Sequence, residues 1–388
     1  MVADATRTIT LLQPRRLSFG PGCSTACLDE LANQGLRRVL LLSTPPVAPH
    51  ARPLIEGMQA KGITVSIITD VPPEPGVLDF DRIIVEARKF HPDGVIGFGG
   101  GSVLDIAKLV AALHDREEPV QKFFGIGLLP ERRTFLVCMP TTAGTGSEVS
   151  PNAILLDETE QLKKGIISPW LVPDAAYIDP LFTLSVPPAV TAATGIDAMV
   201  HCIEAYANRF AHPMVDVFAL QGIRLISANL QRAVEHGQDI EARTAVAQGS
   251  LYGGMCLGPV NTAAVHALAY PLGSEFHIAH GLSNALLLAP VLRFNLPAAP
   301  RRYAKIAFAL GVTPESDDLA TAEAGLARIE ELCAACGLPR SLAACNVPES
   351  AIPRMAIAAM KVTRLLKNNP REMTAADAEA IYRKAFQA

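Results

Sequence analysis

Aromatic residues are scarce in this chain, at 5% with a single tryptophan, and no block of basic residues stands beside them. Nucleic-acid binding draws on a basic surface with stacking rings, so no such partner is expected. No uninterrupted apolar run reaches the roughly 18 residues that a membrane span needs, and the start of the chain lacks the charged-then-apolar pattern of a secretory leader. A cytoplasmic protein with no membrane attachment is therefore expected. The eight cysteines are scattered; Cys23 and Cys27 stand at helical spacing, and only Cys333-x-x-Cys336 invites a metal or redox reading. No second pair stands at zinc-ribbon spacing and no thioredoxin-like strand precedes it, so it reads as a helix end closed by Gly337. Internal repeats and low-complexity segments are also missing.

What is present is apolar material for large cores: 388 residues, 49% hydrophobic, with a net charge of only −4. That length and content suit two domains. Buried-strand runs at 38–43, 64–71, 93–98 and 134–139 alternate with helical patterns at 23–34, 51–61, 79–90 and 102–113, and 175–180 is a last extended piece. Such alternation predicts a mostly parallel sheet covered on both faces. The stretch Pro72–Gly76 between them reads as a plain loop. After Pro187-Pro188 the β-branched runs nearly vanish and helical periodicity takes over, from 189–209 through 374–386. The expected division is an α/β domain over residues 1–185 and an all-α domain over 186–388.

Two loops leave predicted strands with unusual chemistry. Gly99-Gly100-Gly101-Ser102 ends one strand and opens a helix continuing to Asp105, a setting in which bare amides at a helix start favour a phosphate. The spacing is neither the dinucleotide GxGxxG fingerprint nor a Walker motif, and glycines at a strand end also serve as tight turns. The loop from Thr141 to Glu148 leaves another strand. Ligands of open α/β sheets gather at the carboxyl ends of strands, so both loops can face one crevice.

The helical half carries Thr194-Gly195-Ile196-Asp197-Ala198-Met199-Val200-His201 in an Ala-rich helix. Asp197 and His201, four apart, share a face. His266 and His280 follow later. One carboxylate and three imidazoles suit a divalent transition metal. An Asp–His pair at this spacing also occurs in ordinary helices, and three of nine histidines are a choice, so the residues alone leave the site open.

Taken together, Gly99-Gly100-Gly101-Ser102-x-x-Asp105, the 141–148 loop, Gly195-x-Asp197-Ala198-x-x-His201, the span from His266 to His280-Gly281 and the tail Asn368-Asn369-Pro370-Arg371 resemble the iron-containing (group III) alcohol dehydrogenase family. The resemblance covers nearly the whole chain. It implies a Rossmann-like dinucleotide-binding α/β domain followed by a helical domain, the dehydroquinate synthase-like architecture, with the active site in the cleft between them. It also implies Asp197, His201, His266 and His280 as metal ligands, with iron favoured by the family name and zinc admitted by the donor set. Gly99, Gly100, Gly101, Ser102, Asp105, Thr141 and Thr142 would serve NAD or NADP, with Ser150, Asn152 and Lys163 lining the cofactor groove. The substrate would be a small alcohol or aldehyde, and the assembly a homodimer. Two departures stand out. Better-known members carry a histidine four residues after the third ligand, where this chain has Tyr270, so Tyr270 or His277 is expected to relay the proton. The second strand ends Leu42-Ser43-Thr44 without the carboxylate that would repel a 2′-phosphate. The alternatives are a metal-independent maleylacetate reductase and a dehydroquinate synthase-like lyase.

Overall fold

The computed structural model describes residues 5–160 and 162–387, and these separate into two compact units. Among the described residues, one unit is 12–142 with 146–186; the other is 187–387, joined by 143–145 and 5–11.

The first unit contains β1 (Arg16–Phe19), α1 (Cys27–Asn33), β2 (Arg38–Leu42), α2 (Arg52–Ala60), β3 (Thr64–Ile68), α3 (Val77–Phe90), β4 (Gly94–Gly99) and α4 (Gly101–Leu113), then β5 (Gly125–Ile126), β6 (Phe135–Pro140), β7 (Asn152–Asp157), β8 (Leu162–Ile167) and β9 (Ala175–Ile178). Among the described residues, six of these strands form one sheet in the order β1-β9-β6-β4-β2-β3, every pairing parallel. The continuous apolar runs of β2, β4 and β6 follow from that burial: a parallel strand covered on both faces has no solvent side to mark with polar residues. From β2 the chain turns outward to β3, and from β4 it runs the other way to β6. The order therefore reverses at the carboxyl ends of β2 and β4, the place where such sheets bind ligands.

Four strands of this unit were not expected. Strand β1 is a four-residue edge strand with exposed Leu17, too short and wet to read as buried. Strands β7 and β8 pair antiparallel, and β5 extends this second sheet. The charged, half-exposed Leu162-Lys163-Lys164-Gly165 of β8 lacks the apolar pattern of a core strand.

Helix α4 is inward-facing on nearly every turn and buries Lys108 completely. Its Nζ donates to the backbone oxygens of Ser150 and Asn152, each at 2.9 Å. Burial pushes the lysine down from its ordinary value, with Asp105 opposing, and it pushes the Glu148 carboxyl up to about 7. The protonated acid is the form the fold prefers, so its contribution is fully present below pH 4.5 and lost as pH rises through 7. Glu148→Gln, which mimics the neutral acid, should match the parent in urea unfolding near pH 4.5. At pH 8.5 it should be more stable by about 2–3 kcal/mol. Equal stability of the two proteins at pH 8.5 would refute the buried-acid assignment.

The second unit is helical: α5 (Pro188–Tyr206), α6 (Pro213–Glu235), α7 (Ile240–Leu257), α8 (Ala264–Phe276), α9 (His280–Asn295), α10 (Pro300–Ala309), α11 (Asp318–Ala335), α12 (Ile352–Met360), α13 (Thr363–Leu366) and α14 (Ala375–Gln387). Helix α5 starts on a proline, whose missing N–H costs nothing at a helix's first position, and is buried without a break from Gly195 to Tyr206. Asn369 exchanges carboxamide hydrogen bonds with Asn295 at the end of α9, while Asn368 donates to the Thr262 carbonyl just before α8. The Tyr382 hydroxyl of α14 donates to the Leu268 carbonyl inside α8. The tail thus clamps the two helices that carry His266 and His280. No helix among the described residues is long and apolar enough to cross a membrane.

Candidate active site

Asp197 and His201 lie one turn apart on α5, His266 on the first turn of α8 and His280 at the start of α9. Gly281 permits the last placement. A Cβ there would stand 2.5 Å from the Ala193 carbonyl oxygen, so only glycine lets the first turn of α9 meet the α5 backbone. All three imidazoles aim Nε2 at one atom, Asp197 Oδ1, from 3.9 Å (His201), 3.6 Å (His266) and 3.7 Å (His280). Four donors bound to one ion at about 2.1 Å are separated by roughly 3.4 Å; Asp197, His201 and His266 already bring ligand atoms within 4.8 Å of one another, whereas His280 stands outside that group of three and must swing inward to complete the set. Asp197, His201 and His266 are buried, and the His280 side chain is 30% exposed.

The far sides of two rings are also held. His266 Nδ1 lies 2.7 Å from Glu204 Oε2 and His201 Nδ1 lies 3.2 Å from the Gly144 carbonyl oxygen. Gly144 reaches that position because a Cβ would stand 2.7 Å from Thr194 Cβ. Glu204 additionally accepts the backbone N–H groups of Ala263 and Val265. With Nδ1 engaged as donor, each of these rings turns Nε2 inward and offers its lone pair once that nitrogen is free of its proton, the arrangement of carboxylate–histidine–metal triads. Burial works against the Asp197 carboxylate, yet the surrounding His201, His280 and His266 outweigh it and hold the group well below the usual carboxylate range. Burial likewise takes His201 down to about 4, although Asp197 opposes it. At His266 burial loses to the hydrogen bonds of Asp197 and Glu204, and the ring is raised to about 9.

Glu204 was missed in the sequence although its signal was there: it follows Asp197 by seven residues and His201 by three, on the same helical face. Asn284 was missed too. It sits four residues after His280 on α9, fully buried, and donates to Asp197 Oδ1 at 2.6 Å. Pro290 lies inside that helix, and the notched pattern hid the element itself.

The glycine loop lies in the other unit. Gly99 closes β4, Gly100 is the extended residue capping α4, and Gly101 and Ser102 form its first turn. Thr141 and Thr142 follow β6, whose last residue pairs with Gly99, so the two loops lie side by side at the sheet's carboxyl edge. Asp105 is turned inward: its two oxygens accept from Ser147 Oγ and the Ile154 N–H, which pins the 146–150 turn to α4. The segment Pro72–Gly76 is more than the plain loop expected of it. The Glu74 N–H donates to Ser102 Oγ, and the Glu74 carboxylate pairs with Lys163 at 2.8 Å, tying that segment to the glycine loop and to β8. Ser150 is buried, and the Asn152 side-chain oxygen is buried without a partner.

Comparison with known proteins fits both halves. Residues 14–180 match the family model described as iron-containing alcohol dehydrogenase, and residues 191–386 match that of the C-terminal part of the same family. The chain belongs to the iron-containing alcohol dehydrogenase family. It is 39% identical to the long-chain-alcohol dehydrogenase 1 of Geobacillus thermodenitrificans, over 95% of this chain and 94% of that one. A crystal structure of a 1,3-propanediol oxidoreductase, 33% identical, superposes with a TM-score of 0.94 over 98% of this chain and 100% of its own. The sulfoacetaldehyde reductase of Bifidobacterium kashiwanohense, solved in complex with NAD+, is 27% identical with a TM-score of 0.87 over 99% of each chain. Membership accounts for the parallel-sheet unit, the helical unit and the oxidoreductase class. The maleylacetate reductase and lyase alternatives are not favoured.

Proposed function

We propose that this protein catalyses reversible hydride transfer between a small alcohol and a nicotinamide cofactor, using a divalent metal held by Asp197, His201, His266 and His280. The observation that carries the reading is the convergence of three Nε2 atoms on Asp197 Oδ1, with Glu204 fixing the ring of His266 from behind. When bound, the ion would act as a Lewis acid, lowering the pKa of an alcohol hydroxyl or polarising an aldehyde. Iron is the metal the family name favours, and zinc fits the same donors. For the cofactor, the amides at the start of α4 suit a pyrophosphate, with Gly99, Gly100, Gly101, Ser102, Thr141 and Thr142 contributing and Asp105 bracing the turn. Ser150, Asn152 and Lys163 belong to the same groove in this reading. NAD is favoured by the complex of the sulfoacetaldehyde reductase, and the lack of a carboxylate at Thr44 admits NADP.

Tyr270 is the proposed proton carrier. It is buried one turn beyond His266 on α8, with its ring 6.4 Å from that of His280. His277, exposed in a left-handed conformation (φ 54°) at the end of α8, is the second choice. A homodimer in the cytoplasm completes the reading, and eight free cysteines suit a reducing compartment.

The test follows NADH and NADPH absorbance with a panel of aldehydes that includes maleylacetate, before and after chelation and refilling with Fe(II) or Zn(II). Aldehyde reduction should vanish on chelation and return with metal. Tyr270→Phe should lower kcat and flatten its pH profile, whereas His277→Phe should leave both alone. Activity indifferent to chelators and best with maleylacetate would overturn the proposal.

A further inference from the structure

One polar atom in the cluster has no use in the structure as it stands. The Asn284 side chain is fully buried, and its Nδ2 lies 2.6 Å from Asp197 Oδ1 and 3.2 Å from Nε2 of both His266 and His280. Its Oδ1, equally buried, has no hydrogen-bond partner. An orphaned buried acceptor is costly, and here it belongs to a side chain that crowds three of the four proposed metal donors.

The crowding is informative because an amide has two ends of opposite character. With Nδ2 inward, its two hydrogens face the Asp197 oxygen and, once those nitrogens have lost their protons, Nε2 of His266 and His280, three acceptors set around one centre. A cation in that centre would withdraw those acceptors, since the Asp197 oxygen and both Nε2 lone pairs would turn to it, and would leave the amide hydrogens facing positive charge. A half-turn about Cβ–Cγ exchanges the two ends. It places Oδ1 where Nδ2 stands, about 3 Å from the donor atoms of Asp197, His266 and His280, which is the spacing of neighbouring ligands on a common ion of coordination number five or six. Resting on the metal reading above, we propose that Asn284 is a further donor to the ion. Its carboxamide holds the donor set together through Nδ2 when no metal is present and presents Oδ1 when metal binds. Carboxamide oxygen is a hard ligand, suited to iron(II) or another divalent ion at the harder end of the series.

Two substitutions separate this role from simple support of Asp197. Asn284→Asp keeps an oxygen and loses the N–H donor, while Asn284→Leu keeps the volume and loses both. Co(II) affinity would be measured on the full-length protein by competition with a chromogenic chelator, alongside the rise in Tm on adding Co(II). Circular dichroism would check that each metal-free variant is folded. Asn284→Leu should bind about 10- to 100-fold more weakly than the parent. Asn284→Asp should bind at least as tightly as the parent and show the larger metal-induced rise in Tm, because its metal-free form sets two carboxylates against each other. Equal weakening of both variants would mean that donation to Asp197 is all Asn284 does, and unchanged affinity in the leucine variant would deny it any part; either overturns the proposal. Should the parent itself take up no Co(II), the metal reading falls, and this inference with it.

Discussion

Asp197→Asn should give a folded protein that retains little metal and has lost roughly a thousandfold or more in kcat/KM for aldehyde reduction. Asp197 supplies the only negative charge among the four donors, and all three Nε2 atoms are arranged around its Oδ1. The amide that replaces it has nearly the same shape, so helix α5 keeps its packing. Asn284 Nδ2 can still donate to the new side-chain oxygen. What disappears is the buried anion that offsets a dication. Three neutral imidazoles would remain, each a competent ligand, with the full charge of the ion left in a low-dielectric interior. Metal content after loading and dialysis, measured beside steady-state kinetics, checks the prediction. A variant that keeps stoichiometric metal and a tenth of the parent activity would mean that the carboxylate does not hold the ion.

Asp197 and His201 were legible because a single helix carries them four residues apart, and local spacing is what a sequence displays directly. His266 and His280 were legible only through the family pattern. They arrive from α8 and α9, and nothing local links them to α5 until Gly281 lets one helix start against another. Strands β2, β4 and β6 announced themselves by apolar runs, since burial on both faces leaves a continuous signature. Strands β1 and β8 did not, being an edge strand and a charged, half-exposed one. Asp105 illustrates a different limit. Its place three residues after Ser102 marks it as part of a motif, but only the folded chain reveals that both of its oxygens are used on Ser147 and Ile154. Lys108 is harder still. A lysine in an apolar helix reads as a solvent-reaching side chain, and its burial depends on carbonyls at Ser150 and Asn152 more than forty residues away.

Replacement of Glu204 has the second large effect, and it should strike stability and metal binding together. Two carboxylate oxygens serve three donors: the N–H groups of Ala263 and Val265, at 2.9 and 2.6 Å, and His266 Nδ1 at 2.7 Å. Glu204 is only 4% exposed, so water cannot take its place. Glu204→Leu leaves those donors buried and unsatisfied, at a cost of about 1–3 kcal/mol each and roughly 3–5 kcal/mol together once partial relaxation is allowed. Glu204→Gln should be nearly as damaging, because its carboxamide offers one acceptor and turns an NH2 group toward donors. Both changes free the His266 ring to rotate or to place its proton on Nε2, the nitrogen the ion needs bare. Metal affinity should therefore fall about 10- to 100-fold in each. Calorimetry of the metal-free variants isolates the first effect, and chelator competition on the folded fraction isolates the second. A variant with a lowered Tm and unchanged metal affinity would reduce Glu204 to a brace for the start of α8, with no hold on the histidine it faces.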